Sequence, residues 1–260
     1  MKESRILRDF VVVDGNCFDV FNGYNDLKSL KVTVHGLKSM VDIKGLNELE
    51  GLENLEIAHT GIKRIEGLEK LKRLKTLILF YNQIEDMSGL ASLPNLKTLV
   101  LSNNNISGIC GLENAKSLEF LSLNNNKISE IEGLDNLSSL KFLFLHRNQI
   151  KGIKGLDSLS NLEKLRLSDN KIEKIGGLGG LTNLYELRLD HNLIKEVKNV
   201  NCLKNLGCLF LQHNQIEVVH KNAFKGMHEF NLLNINFNPI NESTGNIGGI
   251  YKGEVQALFS

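Results

Sequence analysis

A period of 22 residues runs through almost the whole chain and restricts it to one kind of architecture. Beginning at Leu52, the pattern L-x-x-L-x-L-x-x-N-x-I returns at Leu74, Leu96, Leu118, Leu140, Leu162, Leu184 and Leu206, each 22 residues after the last. Leu74 to Ile84 reads LKTLILFYNQI, Leu118 to Ile128 LEFLSLNNNKI, and Leu162 to Ile172 LEKLRLSDNKI. A unit of this length is one coil of a solenoid. It cannot bury its own apolar face, and stacking coils creates a continuous core. Looser copies flank the regular ones, at Leu27, Leu30, Val32, His35 and Leu37 and at Phe230, Leu233, Ile235, Asn238 and Ile240, giving ten repeats over 27–240. Residues 1–26 read as an N-terminal cap, or as a degraded further repeat carried by Leu7, Phe10, Val12 and Cys17. Residues 241–260 read as a loop followed by a short capping helix with Val255, Leu258 and Phe259 on one face.

Positions four and six of each repeat, such as Leu77 and Leu79 or Leu165 and Leu167, alternate inward, which is the periodicity of a strand. One short strand per coil, stacked on the next, predicts a parallel sheet. The return segment carries Leu68, Leu71 and Leu74 at steps of three, which suits a 3-10 or short α turn. Gly67, Gly89, Gly111, Gly133, Gly155 and Gly177 open these segments where the backbone bends tightly. The expected fold is therefore an α/β solenoid, with a parallel sheet on the concave side and 3-10 or short helices on the convex side.

These motifs resemble the leucine-rich-repeat family over residues 27–240. The repeat tails, IEGLEKLKRL at Ile65 to Leu74 and IEGLDNLSSL at Ile131 to Leu140, are similar to the 22-residue class found in the leucine-rich regulatory subunit of protein phosphatase 1. NAFKGM at Asn222 to Met227 resembles the 24-residue class, and Tyr251, Lys252 and Val255 resemble the family's C-terminal cap. The resemblance implies a right-handed superhelix and a regulator or adaptor that binds a phosphatase or other signalling protein. It also implies that Asn82, Asn104, Asn126, Asn148, Asn170, Asn192, Asn214 and Asn238 turn inward, where a buried backbone group needs a partner. Thr60 and His35 stand in that slot in the first coils. The concave face of the phosphatase regulator is acidic and aromatic. Here Phe144 and Phe210 supply aromatics, but Arg166 and Arg188 lie between them.

Composition narrows the functional classes. With 31 basic and 30 acidic residues the net charge is +1, so no basic field points to nucleic acid and no acidic block to a tail. No apolar run approaches a membrane span, and the four residues Phe10 to Val13 are too short for a signal-peptide core. Cys17, Cys110, Cys202 and Cys208 show neither CxxC spacing nor a paired cap pattern, which favours a reducing, intracellular compartment, cytoplasmic or nuclear. The sequons at Asn105, Asn136 and Asn241 are what an Asn-rich repeat contains by chance.

Positions three, five, seven and eight of each repeat face outward on the strand side. Laid side by side, they give one aromatic and aliphatic cluster of Ile78, Phe80, Tyr81, Val100, Phe120, Phe142 and Phe144. Next to it lies a charged field of Arg147, Lys164, Arg166, Asp169, Glu186, Arg188 and Asp190, followed by Phe210. Aromatics and arginines dominate protein interfaces, so the candidate partner-binding residues are Phe80, Tyr81, Phe120, Phe142, Phe144, Arg147, Arg166, Arg188 and Phe210. The alternative is single-stranded nucleic acid, with bases stacked on Phe142 and Phe144, but the interleaved carboxylates oppose phosphate. Ser168, Asp190 and His191 meet on an open surface with no oxyanion hole, so no catalysis is expected. His191, His213 and Asp169 neighbour one another because the repeat forces it, so neither metal nor cofactor is expected. The chain reads as a protein-interaction module, not an enzyme.

Overall fold

A computed structural model describes residues 10–13, 16–19, 21–23, 27–33, 36–220, 222–240 and 254–256. Positions four and six of every coil point inward: Leu77, Leu79, Leu143, Leu145, Leu165 and Leu167 are all 0 % exposed. Ten strands, from Leu27–Val32 and Asn54–Ile57 through to Cys208–Phe210 and Leu232–Asn234, pair in parallel in chain order, each return crossing over to the next strand. The predicted parallel solenoid is thus realised, with the Leu and Ile residues of all the coils fused into one core. In the longer coil before the last strand, Phe224 and Phe230 stack at 5.0 Å within that core.

The convex side is leaner than expected. Its described helices are three 3-10 segments, Met40–Asp42, Leu46–Glu48 and Ser88–Ser92; two later returns instead carry short strands, Glu196–Val197 and Val218–Val219, paired in parallel, and most of the others are turns. Steps of three residues suffice for one N–H to reach the carbonyl three back, as from Leu137 to Leu134, and each coil has room for little more. Gly177 shows why glycine opens these returns. Its φ is +63°, and a Cβ there would lie 2.3 Å from the carbonyl oxygen of Ile153 in the coil before.

The C-terminal end departs from the sequence reading, and the N-terminal end departs only from its alternative of a further repeat. Phe10–Val13 pairs antiparallel with Asn16–Asp19, so this stretch is a hairpin and not a further coil; Leu7 lies outside the described residues. Phe21–Gly23 then pairs antiparallel with Leu27–Val32. At the other end Glu254–Gln256 is a strand, antiparallel to Leu232–Asn234, where a helix was expected; Leu258, Phe259, Tyr251 and Lys252 lie outside the described residues. The last parallel strand leaves a row of unpaired backbone groups, and a strand satisfies them where a helix would not.

The ninth-position asparagines join each coil to the one before. Asn148 Nδ2 donates to the carbonyls of Leu145 in its own coil and Leu123 in the preceding one, both at 3.0 Å, while its Oδ1 accepts from Ile128 N at 3.0 Å. Asn104, Asn126, Asn170, Asn192, Asn214 and Asn238 repeat this set of three bonds. At the first regular coil Asn82 Oδ1 instead takes the backbone N–H and the hydroxyl of Thr60. His35 lies outside the described residues. A second, exposed row crosses the convex side: Asn95, Asn114, Asn136, Asn161 and Asn205 each donate to a carbonyl of the previous coil at 2.8–3.1 Å.

The two rows should differ in weight because only one is hidden from water. Asn148→Ala strands two buried carbonyls and an N–H and should cost about 1–3 kcal/mol. Asn136→Ala exposes its carbonyl to solvent and should stay within about 0.5 kcal/mol. Denaturant melts of the two variants test this. Equal losses would show that burial does not set the value of these bonds.

Candidate functional site

The strand register puts the outward side chains into straight rows across the sheet. Position three aligns Phe120, Phe142, Lys164 and Glu186; position five aligns Phe144, Arg166, Arg188 and Phe210. Six of the candidate residues lock into one strip. The Phe120 ring meets Phe144 edge-on at 5.2 Å and Phe142 at 6.2 Å. The Arg166 guanidinium lies 4.6 Å over Phe144, and that of Arg188 lies 4.3 Å over Phe210. These phenylalanines are half-buried by their neighbours.

Glu186 is the hub of the charged part. Its Oε1 accepts from Arg188 Nε at 2.8 Å and Arg166 Nε at 3.2 Å, and Lys164 Nζ lies 3.7 Å away. The residue is 9 % exposed. Burial alone would push its pKa up, but the hydrogen bond from Arg188 and the three cations outweigh it and hold the carboxyl below the usual carboxylate range. His146, by contrast, is pushed down, first by burial and then by Arg147 and Arg166, so it adds no charge at neutral pH.

The remaining candidates stand apart. Phe80 and Tyr81 pack with His59, the His59 and Tyr81 rings stacking at 4.7 Å, and form a separate group toward the N-terminal coils. The single aromatic cluster expected from the sequence is therefore two, because Phe80 and Tyr81 stand at positions seven and eight, where the next two coils carry Ser102, Asn103, Asn124 and Asn125, whereas Phe120, Phe142 and Phe144 stand at positions three and five. Arg147 sits on the rim and pairs with Asp169 at 3.7 Å, outside the Arg166–Glu186–Arg188 network.

That rim has an origin the sequence reading missed. Position eight is left-handed in nine coils, with φ between 53° and 58° at His59, Tyr81, Asn103, Asn125, Arg147, Asp169, His191, His213 and Phe237. Six are His, Asn or Asp, the side chains that tolerate this conformation best. Tyr81, Arg147 and Phe237 are not, and each carries roughly 1–2 kcal/mol of strain. Lateral contacts offset it: Tyr81 on His59, Arg147 with Asp169, Phe237 on His213 at 4.4 Å.

The polar groups considered for chemistry are arranged for structure. Ser168 Oγ donates to Asp190 Oδ1 at 2.7 Å, and His191 Nδ1 meets the other oxygen at 3.2 Å. The carboxylate thus stands between hydroxyl and imidazole, whereas a nucleophile needs the imidazole beside it. The His191 and His213 rings stack face to face at 4.4 Å. Among the described residues no group of three or more His, Cys, Asp or Glu side chains could hold a metal ion, and no helix is long and apolar enough to cross a membrane.

One strand and one return per coil, an inward Asn at position nine and an outward polar-aromatic sheet define a leucine-rich-repeat solenoid. The family model for leucine-rich repeats (two copies) matches residues 50–92, 72–114, 116–159 and 160–205, and the chain belongs to the leucine-rich-repeat family. Among solved structures it is similar to an internalin (inlF) from Listeria monocytogenes, with 27% identity over 83% of this chain and 68% of the internalin and a TM-score of 0.70. It is also similar to the leucine-rich-repeat protein LIC12759 of Leptospira interrogans, with 29% identity, 84% and 57% coverage and a TM-score of 0.75. The TLR13-ssRNA13 complex is a further likeness, with 26% identity, 80% and 32% coverage and a TM-score of 0.68. No curated protein matches the chain. Proteins of this family are in general interaction modules rather than enzymes.

Acid should weaken the Glu186 hub in a defined window. Its folded pKa is depressed, so its contribution is complete above the ordinary Glu value of about 4.3 and is lost as pH falls through the lower folded value. Glu186→Gln should therefore flatten part of the acid loss of stability below pH ~4, read from thermal melts across pH. An identical acid profile in wild type and variant would show that the three cations do not stabilise the carboxylate.

Proposed function

We propose that this chain is an adaptor or regulatory module that binds another protein on its concave face. The observation that carries this reading is the strip from Phe120 to Phe210. It sets half-buried aromatics and stacked arginines, the residue types that dominate protein interfaces, side by side on a rigid sheet. Phe142 and Phe144 flank the core residue Leu143 on the opposite face, so they contribute little to the interior. A phosphatase is the partner class to which the I-x-G-L-x-x-L repeat tails point. Single-stranded nucleic acid is the rival occupant; Glu186, Asp169 and Asp190 on the same surface weigh against phosphate. The Ser168–Asp190–His191 order supports binding rather than catalysis. We place the protein inside the cell, on the strength of three free thiols, Cys110, Cys202 and Cys208.

A Phe142→Ser/Phe144→Ser variant should lose its partner in a pull-down from source lysate while giving up only about 1–2 kcal/mol of stability. A convex-side Lys70→Ser/Lys72→Ser control removes one exposed ion pair and one exposed hydrogen bond and should keep both partner and stability. If the aromatic variant retains every partner, the interface lies elsewhere. A reducing agent should leave the melting temperature unchanged, and a drop would contradict the intracellular placement.

A further inference from the structure

Arg166 and Arg188 are adjacent in the position-five row, yet they lean apart. Arg166 stacks on Phe144 in the preceding strand and Arg188 on Phe210 in the following one. Like charges gain by separating, and the result is a gap between two guanidinium planes, with Glu186 bonded to both at its floor. Both bonds to Glu186 use Nε. Among the described residues the terminal Nη groups of both arginines have no hydrogen-bond partner, although stacking already fixes their planes. Three cations, Lys164, Arg166 and Arg188, meet one carboxylate, so the strip keeps an excess of two positive charges. Held forks with spare donors and surplus charge are a receptor for a carboxylate, which a guanidinium takes with paired hydrogen bonds.

The flanks say what surrounds that carboxylate. Phe120, Phe142 and Phe144 lie on one side of the gap, Phe210 and Leu232 on the other. Strands lie about 4.8 Å apart, so Phe144 to Phe210 spans about 14 Å; same-face side chains of an extended peptide recur about every 6.8 Å, and three of them span about 13.5 Å. Resting on the concave-face reading above, we propose that the strip recognises an extended acidic segment of a partner protein. One Asp or Glu side chain seats between Arg166 and Arg188, with apolar side chains two residues before and after it. Base stacking on the same rings is the competing occupancy, and it predicts phosphate rather than carboxylate dependence.

Short random peptides displayed on phage and selected on the full chain test this, with fluorescence anisotropy of an enriched peptide as the readout. Enriched peptides should carry an acidic residue flanked by apolar ones at two-residue spacing. Changing that acid to its amide, or making Arg166→Gln/Arg188→Gln, should weaken binding roughly tenfold to a hundredfold. Glu186→Gln keeps an acceptor for both Nε groups but removes the competing charge, so it should tighten binding roughly threefold or more, a gain that unfolding cannot mimic. Peptides without acids that are lost with Phe142→Ser/Phe144→Ser would overturn the acidic segment and leave the concave face standing. Peptides indifferent to every concave substitution would overturn both. Binding of an oligo(U) RNA with a steep salt dependence, in place of any selected peptide, would assign the strip to nucleic acid.

Discussion

A single amide side chain per coil, turned inward at position nine, holds this molecule in register. Each such asparagine takes two carbonyls and one N–H that the strand cannot pair as it leaves the sheet, and those groups belong to two successive coils. The bond set works only when the coils are superposed residue on residue. That is why strands of three residues suffice to build a sheet of this length: the leucines supply the apolar core, and the asparagines fix how one coil sits on the next. The same exit from the sheet forces the residue just before each asparagine into a left-handed conformation, which creates the rim.

Fixed register turns a one-dimensional repeat into a two-dimensional surface. Positions three and five form straight rows, so a substitution in one coil meets its counterparts in the coils on either side. Phe144, Arg166, Arg188 and Phe210 become a ladder for this reason, and Glu186 reaches two of its rungs because it lies in the neighbouring row. The frame does not care which residues occupy these rows, since none of them contributes to the core. They are free to carry specificity.

The period, the inward leucines and the outward rows were legible in the sequence because each is set by spacing alone, and the inward asparagines followed from the family resemblance. The contacts along a row were not. Nothing in the spacing says that Arg166 leans back onto Phe144 while Arg188 leans forward onto Phe210, because that depends on side-chain rotamers and on the charge of Glu186. The left-handed rim carried a signal that spacing analysis passed over: an excess of His, Asn and Asp at position eight. So did the convex ladder, in the asparagines that precede Leu96, Leu162 and Leu206. The C-terminal helix, and the alternative of a further coil at the N-terminus, were misread for a different reason. Where the repeat stops, periodicity no longer constrains the chain, and the need to pair an open sheet edge selected strands at Phe21–Gly23 and Glu254–Gln256.

The concave strip as the working surface is the claim on which the functional account stands, and hydroxyl-radical footprinting of the protein with its partner bound tests it most directly. Phe142, Phe144 and Phe210 should lose reactivity on complex formation, while Tyr185, on the opposite rim of the sheet and 47 % exposed, should keep it. Protection confined to Tyr185 or to the convex returns, with the three phenylalanines unchanged, would contradict the account.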